Sequence, residues 1–382
     1  MAFSFKKILG SINLGVGGKA QSVIGVDIGS SSVKIVQLRL AHGAALLETY
    51  GEIALGPYGK QPIGKAVKLA PEVVSQAVTD LIREANVTAR ESGISIPFSA
   101  SLITVLNLPK VDNEQLKQIV PIEARKYIPV PVSEVTLDWF VIPHDEAVGG
   151  QFDDPNEKDA TKKSGQDVLL VAIHNAVTKS YQALTAACNI KAQFYEIEIF
   201  SGIRSSVGSG LAPILFVDIG ASTTKIYIVE RGVVRLTHLA TAGGQHMTET
   251  LARAMQWEFE KAERVKRERG LLEASSYAAD ENARIKEALF YTLSRIFSEI
   301  NRVLLSYGQR YNKNIAHIVL SGGGASLPGL AEAAKAALSA ETKIADPFSK
   351  TEAPAFMGTV LHQIGPGFAV SVGLALRALR RE

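Results

Sequence analysis

Short apolar runs separated by small polar residues set the rhythm of this chain. Val23 to Val26 and Ile35 to Leu40 flank one polar turn, and Ile214 to Val217 and Ile226 to Val229 flank another. Runs of this length around a turn of Gly and hydroxyl residues predict strand–turn–strand hairpins. A third strand is expected over Ala44 to Leu55 and a helix from Pro71 to Ala85. Further strands are expected at Ser101 to Leu106, Val135 to Ile142 and Asp167 to Ile173. A helix should open at Asp112, with Gln115 as its capping-box partner. From Gly243 to Tyr311 the apolar spacing lengthens to that of helices: Ile285, Leu289, Leu293, Ile296, Ile300 and Leu304 mark one face of a long amphipathic helix. A strand–loop–helix unit follows over Ile315 to Ser339, and a last helix over Gly367 to Arg381 should pack back on the first domain. The alternation of strands and helices makes the chain α/β.

The two hairpins share a phrase. Residues 27–35 read DIGSSSVKI and residues 218–226 read DIGASTTKI, identical at six of nine positions and 191 residues apart. Gly at a turn lets the backbone approach a ligand, and successive N–H groups with Ser/Thr hydroxyls cradle phosphate oxygens. An Asp ending the first strand of each suits a hydrated Mg²⁺, which takes one or two carboxylates and keeps its waters. Two such hairpins suggest related half-domains gripping one nucleotide from opposite sides. A third element, residues 318–330 (IVLSGGGASLPGL), is a strand, a triple-Gly turn and a helix opening near Leu327 and Pro328. It would pass the main chain flat against a purine or ribose, with a helix N-terminus near.

Composition narrows the classes. At 382 residues the chain should split into two or more domains. A formal charge of +3 gives no sign of nucleic-acid binding. The single Cys188 excludes an intramolecular disulfide and reads as a small buried residue. No apolar run approaches 18 residues, so no transmembrane span is expected, no signal peptide is recognisable, and a cytoplasmic protein is expected. Residues 1–21 form a leader, either a weakly amphipathic membrane contact or a disordered or packed terminus. The polar stretch Asp145 to Gln166 reads as a mobile loop. Gly59 to Ala66 nearly spells a P-loop, but Ala66 stands where Mg²⁺ needs Ser or Thr, and Gly15 to Ala20 lacks a preceding strand. Neither is a phosphate motif.

The order of phosphate hairpin, phosphate hairpin and Gly-rich adenosine loop resembles the actin-like ATPase superfamily of actin, sugar kinases, heat-shock chaperones and FtsA. Residues 101–112 (SLITVLNLPKVD), 121–131 (PIEARKYIPVP) and 134–139 (EVTLDW) sharpen this to a resemblance to the PilM family, FtsA-like components of type IV pilus and type II secretion platforms. Pro121, inside a helix, departs from the pattern and should kink it or shift its boundary. The resemblance implies an actin-like ATPase fold, two RNase H-like domains facing a nucleotide cleft. On that scheme 1–21 is a flexible leader. The first domain comprises 22–97, 187–210 and 360–382, with an inserted partner-binding α/β module at 98–186. The second comprises 211–359, with 241–311 as its helical subdomain.

It also implies roles. Asp27, Gly29, Ser30, Ser31, Ser32 and Lys34 match the first phosphate motif, and Asp218, Gly220, Ser222, Thr223 and Thr224 the second. Asp27 and Asp218 would hold the metal. Gly243 and Gly244 match a further phosphate-side turn, and Gly322, Gly323 and Gly324 the adenosine loop. Glu263 and Lys266 match a ribose- and adenine-holding helix, or else form an i, i+3 ion pair on a charged helix. Phe348 would stack near the base. Glu198, preferred over Glu196, would orient water for hydrolysis, although an exposed or salt-bridging carboxylate looks the same in sequence.

The implied ligands are ATP and Mg²⁺, with at most slow hydrolysis. The implied partner is the cytoplasmic N-terminal peptide of PilN at the inner membrane, with other platform proteins and the assembly ATPase in reach. Tyr127, Ile128, Pro129 and Val130 are groove candidates, or a turn of the module's own core. The alternatives are an FtsA-like filament-forming ATPase or a small-molecule kinase of the superfamily. Self-association stays open.

Overall fold

The computed structural model describes residues 22–143, 165–208 and 210–380. The leader and most of the polar stretch after Asp145 lie outside the described residues. The chain opens with β1 (Ser22–Ile28), β2 (Ser32–Ala41) and β3 (Ala44–Ala54), then α1 (Pro71–Glu84) and β4 (Glu91–Ile96). An excursion follows: β5 (Ser101–Pro109), α2 (Asn113–Ala124), β6 (Val135–Val141), β7 (Gly165–His174) and α3 (Asn175–Ala187). The chain returns as β8 (Lys191–Ile197) and α4 (Glu198–Ser206). It continues with β9 (Ile214–Ile219), β10 (Thr224–Glu230), β11 (Val233–Ala240), α5 (Gly244–Met255), α6 (Phe259–Glu268) and the 33-residue α7 (Ala279–Tyr311). It closes with β12 (Ile318–Ser321), α8 (Leu330–Leu338), β13 (Thr342–Ile344), α9 (Gly358–Ile364) and α10 (Ala369–Ala378).

Two five-stranded sheets have the same plan. The first runs β3-β2-β1-β4-β8 and the second β11-β10-β9-β12-β13. In each, the hairpin strands pair antiparallel, and the later strands add in parallel to the first strand of the hairpin. The sequence repeat is therefore the visible part of a repeated sheet. The excursion builds a third sheet, β5-β7-β6, whose outer face packs on α2 around Leu116, Val120, Val168 and Leu170. Its other face, with Ile103, Leu169 and Val171, joins a cluster that runs from Ile24, Ile35 and Leu81 to Phe216 and Tyr227. The Phe216 and Tyr227 rings stack 5.0 Å apart. Module and both sheets thus share apolar burial.

Asp112 caps α2 by accepting from the Gln115 N–H at 2.8 Å. The helix runs through Pro121 and ends at Ala124. Cys188 is buried, as its apolar surroundings predict. In α7 Ile285, Leu289, Leu293, Ile296 and Ile300 are buried along one face. Against the expectation from sequence, the stretch Ala355–Ala378 is long and apolar enough to cross a membrane by length and composition. Here it is mostly buried, and α10 lies directly on β1: a side chain at Gly25 would collide with the Ser371 carbonyl and the Ala375 N. The last helix therefore packs on the first sheet.

Candidate nucleotide site

Register builds the site from the repeat. Antiparallel pairing sets Asp27 opposite Lys34 in the first hairpin and Asp218 opposite Lys225 in the second. Each tip is closed by the same backbone bond, Gly29 N–H to Ser32 O and Gly220 N–H to Thr223 O, both at 3.0 Å. The tips meet: Ser30 Oγ and Ser222 Oγ are 3.2 Å apart. Around them opens a cavity of about 810 Å³, within the usual range for ligand clefts. Asp27, Gly29, Ser30, Ser31, Ser32 and Lys34 line it, as do Asp218, Gly220, Ser222 and Thr223.

The glycine loop forms another wall, with Gly322, Gly323 and Gly324 all lining the cavity. Gly322 has φ +81°, and a Cβ there would collide with the Asp218 carboxylate and the Ile219 carbonyl. One at Gly324 would collide with the Ile219 side chain, whereas Gly323 has nothing near its missing Cβ. Only glycine lets this loop lie against the second hairpin and still leave an open floor. The following helix starts at Leu330, later than the sequence suggests, because Gly323–Ser326 winds into a tight turn and Gly329 sits at φ +81°.

Across the cavity, Lys266 Nζ donates to Glu263 Oε2 (2.6 Å), Thr248 Oγ1 (2.8 Å) and the Gly244 carbonyl (3.0 Å). The i, i+3 ion pair is real, and both residues, with Gly244 and Arg267, also line the cavity. Burial pushes the Lys266 pKa down against the pull of Glu263. The Gly244 N–H donates to the Gly220 carbonyl at 2.9 Å, which ties α5 to the second hairpin. Gly243 lies behind it, where a Cβ would meet the Gly220 and Ala221 carbonyls, and does not line the cavity. The rejected P-loop lookalike has a different part. Gly64 lines the cavity beside Glu263, and the Ala66 N–H donates to Gln245 Oε1 at 2.7 Å, bridging first domain and α5.

The phosphate end is strongly charged. Asp27 is half-buried, accepts from Ser95 Oγ at 2.8 Å, and has its pKa raised by desolvation against the pull of Lys34 and Lys225. Lys225 Nζ lies 2.9 Å from Asp218 Oδ2 and 2.6 Å from Glu198 Oε2. Burial pushes the Lys225 pKa down, but Asp218 and Glu198 outweigh it and raise it. Glu198 opens α4, and its other oxygen accepts the Phe98 N–H at 2.7 Å, at the threshold of the inserted module. Tyr181, from α3, reaches the same cavity. The sequence reading missed Lys225, Ser95, Tyr181 and Arg267. Only Lys225 had a signal, its repeat equivalence with Lys34.

Besides Gly243, two assignments need correction. Phe348 is only 4% exposed, packs with Tyr50 and Phe368 beneath the first sheet, and does not line the cavity, so it cannot stack on a base there. Thr224 is fully buried and donates to the Ala242 carbonyl at 2.7 Å, because strand alternation turns it away from the cleft. Glu196 also faces away: Arg204 and Arg377 clamp it, with Ser201 donating to it. In the proposed groove, Ile128 and Val130 pack into the module's core, whereas Tyr127 and Pro129 are exposed.

The description "Type IV pilus assembly protein PilM" belongs to a family model that matches residues 25–379. The chain belongs to that family. FtsA of Bacillus subtilis is 23% identical over 359 residues, covering 85% of this chain and 78% of its own length. FtsA of Borreliella burgdorferi is 23% identical over 391 residues, covering 93% and 90%. Among solved structures, a PilM–PilN type IV pilus biogenesis complex superposes with TM-score 0.75 at 23% identity, over 94% of this chain and 99% of that one. MreB 5 of Spiroplasma citri, bound to AMPPNP, gives TM-score 0.52 at 12% identity over 93% and 95%. These likenesses show the actin-like fold, and this PilM family member is a type IV pilus assembly protein.

The residues present fit a nucleotide: two hydroxyl-rich turns and a glycine wall enclose one cavity, with Lys34, Lys225, Lys266 and Arg267 among its lining. They fit a metal held mainly through phosphates. Among the described residues no group of three His, Cys, Asp or Glu side chains could hold one by itself, so Asp27 and Asp218 would be partial ligands, as Mg²⁺ permits.

Proposed function

We propose that this protein is an ATP-binding scaffold of the pilus assembly platform, at the cytoplasmic face of the inner membrane, whose nucleotide state governs capture of a PilN-type N-terminal peptide. The carrying observation is the meeting of the two repeated hairpins, Ser30 against Ser222, in a cavity that the glycine loop closes. ATP with Mg²⁺ would supply a polyanionic chain for the hairpins to hold. Backbone N–H groups and hydroxyls of residues 29–32 and 220–223 would donate to its oxygens, and Asp27 and Asp218 would face its metal. Lys266 and Glu263 would border the nucleoside, with Gly323 beneath it. Charge-assisted contacts of this kind contribute about 1.5–3 kcal/mol each.

Glu198 is poorly placed to orient water. One of its oxygens is engaged by Lys225 and the other by the Phe98 N–H, so binding is favoured over turnover. The same two bonds connect the cleft with the start of the inserted module. The partner of the PilM structure that superposes on this chain is PilN, and an extended peptide suits a groove bounded by the module and the first sheet. The test is titration of a PilN N-terminal peptide into the protein with and without ATP. The reading expects tighter binding with nucleotide, and equal binding in both conditions contradicts the coupling.

A further inference from the structure

The hairpins are copies in backbone, but their lysines act differently. Lys34 Nζ turns back within its own sheet, to Ser32 Oγ at 2.8 Å and Glu52 Oε1 at 3.0 Å. Lys225, at the equivalent register position, reaches across to join Asp218 of its own hairpin with Glu198 of the first domain. All three side chains are at most 14% exposed. Asp27 is near enough that its charge bears on Glu198 and that of Asp218 bears on Asp27. Two carboxylates thus meet on one ammonium, with a third, Asp27, close enough for its charge to be felt, at the end of the cavity where phosphates would lie. Carboxylates crowded in a poorly hydrated place need a cation among them. An ammonium carries three N–H donors, and Asp218 and Glu198 take two here, which leaves one for a phosphate oxygen.

We propose that Lys225 is the resident cation of this site, doing within the chain much of what a divalent ion does in a nucleotide cleft, so that ATP binding depends only weakly on Mg²⁺. The inference rests on the nucleotide reading above. It accounts for Asp218 having one oxygen already engaged at 2.9 Å. It also explains why the two hairpins differ in lysine geometry while sharing sequence: one lysine braces its own sheet, the other bridges two domains at the ligand.

The test uses the full chain. ATP is titrated calorimetrically in EDTA and in millimolar MgCl₂, for the intact protein, Lys225→Met and Lys225→Arg. Melting of the nucleotide-free proteins is followed with and without MgCl₂. For the intact protein and Lys225→Arg, the ATP Kd should move by less than about threefold between the two buffers. For Lys225→Met it should tighten about tenfold or more on adding Mg²⁺, and Mg²⁺ should raise the melting temperature of this variant alone. If removing the buried charge prevents folding, Lys225→Met with Glu198→Gln restores the balance and should show the same gained dependence through Asp27 and Asp218. Equal Mg²⁺ dependence in intact protein and charge-removed variants, strong or weak, overturns the role of Lys225 and leaves the nucleotide site standing. Absence of ATP binding by the intact protein in both buffers overturns the nucleotide reading, and this proposal with it.

Discussion

Glu196 and Glu198 stand two residues apart at the β8–α4 junction, and their surroundings could hardly differ more. Glu196 faces the α4–α10 side, where Arg204 contacts it at 2.7 Å and Arg377 also contacts it. There one carboxylate meets two guanidiniums. Burial pushes its pKa up, but the arginines and Ser201 prevail and hold it at about 2. Glu198 faces the cleft, where it shares Lys225 with Asp218 and burial drives its pKa upward. The first arrangement satisfies its charge internally and fixes the last helix to the sheet. The second gathers its carboxylates around one lysine at the end of the cavity that faces the ligand. Strand alternation alone would put residues two apart on one face; the turn from β8 into α4, between Ile197 and Glu198, is what parts these carboxylates.

That contrast can be broken from either side. On the packed side, Glu196→Ala strands two arginines and should cost about 3–5 kcal/mol in denaturant unfolding. Phe348→Ala, in the same layer, should cost about 3–5 kcal/mol and leave ATP affinity unchanged in calorimetry, since the ring lies outside the cleft. On the cleft side, Lys266→Met should weaken ATP binding by about 1.5–3 kcal/mol.

The pH dependence gives the next test. Glu196 has an ordinary pKa of 4.5 and a folded value of about 2. A depressed folded pKa adds stability above 4.5 that drains away as pH falls through 2, so stability should rise with pH across that window. Glu196→Gln should flatten that part of the curve when unfolding is followed between those pH values. The smallest effect belongs to Thr224→Ala, which removes one buried bond to the Ala242 carbonyl and should cost about 1 kcal/mol of stability with ATP affinity unchanged.

The legible parts of the molecule were those written twice or periodically. The hairpins could be read because strand, Gly turn and strand recur with their Asp and Lys in register, and α7 because its apolar face repeats over about five turns, from Ile285 to Leu304. What stayed hidden depends on facing partners. Nothing local tells that Thr224 turns inward while Thr223 turns to the cavity, since hairpin register decides it. Phe348 reads as an available aromatic until Tyr50 and Phe368 enclose it. Lys225 was readable as an equivalent of Lys34, yet its bridge to Glu198 spans two domains and has no sequence trace.

The most direct test is a calorimetric titration of ATP–Mg²⁺ into the intact protein and into an Asp27→Ala, Asp218→Ala double variant. The account predicts saturable one-site binding by the intact protein, and loss of that binding in a variant that still melts cooperatively. Failure of the intact protein to bind, or undiminished binding by the folded variant, would contradict the claim that the paired hairpins form a nucleotide site.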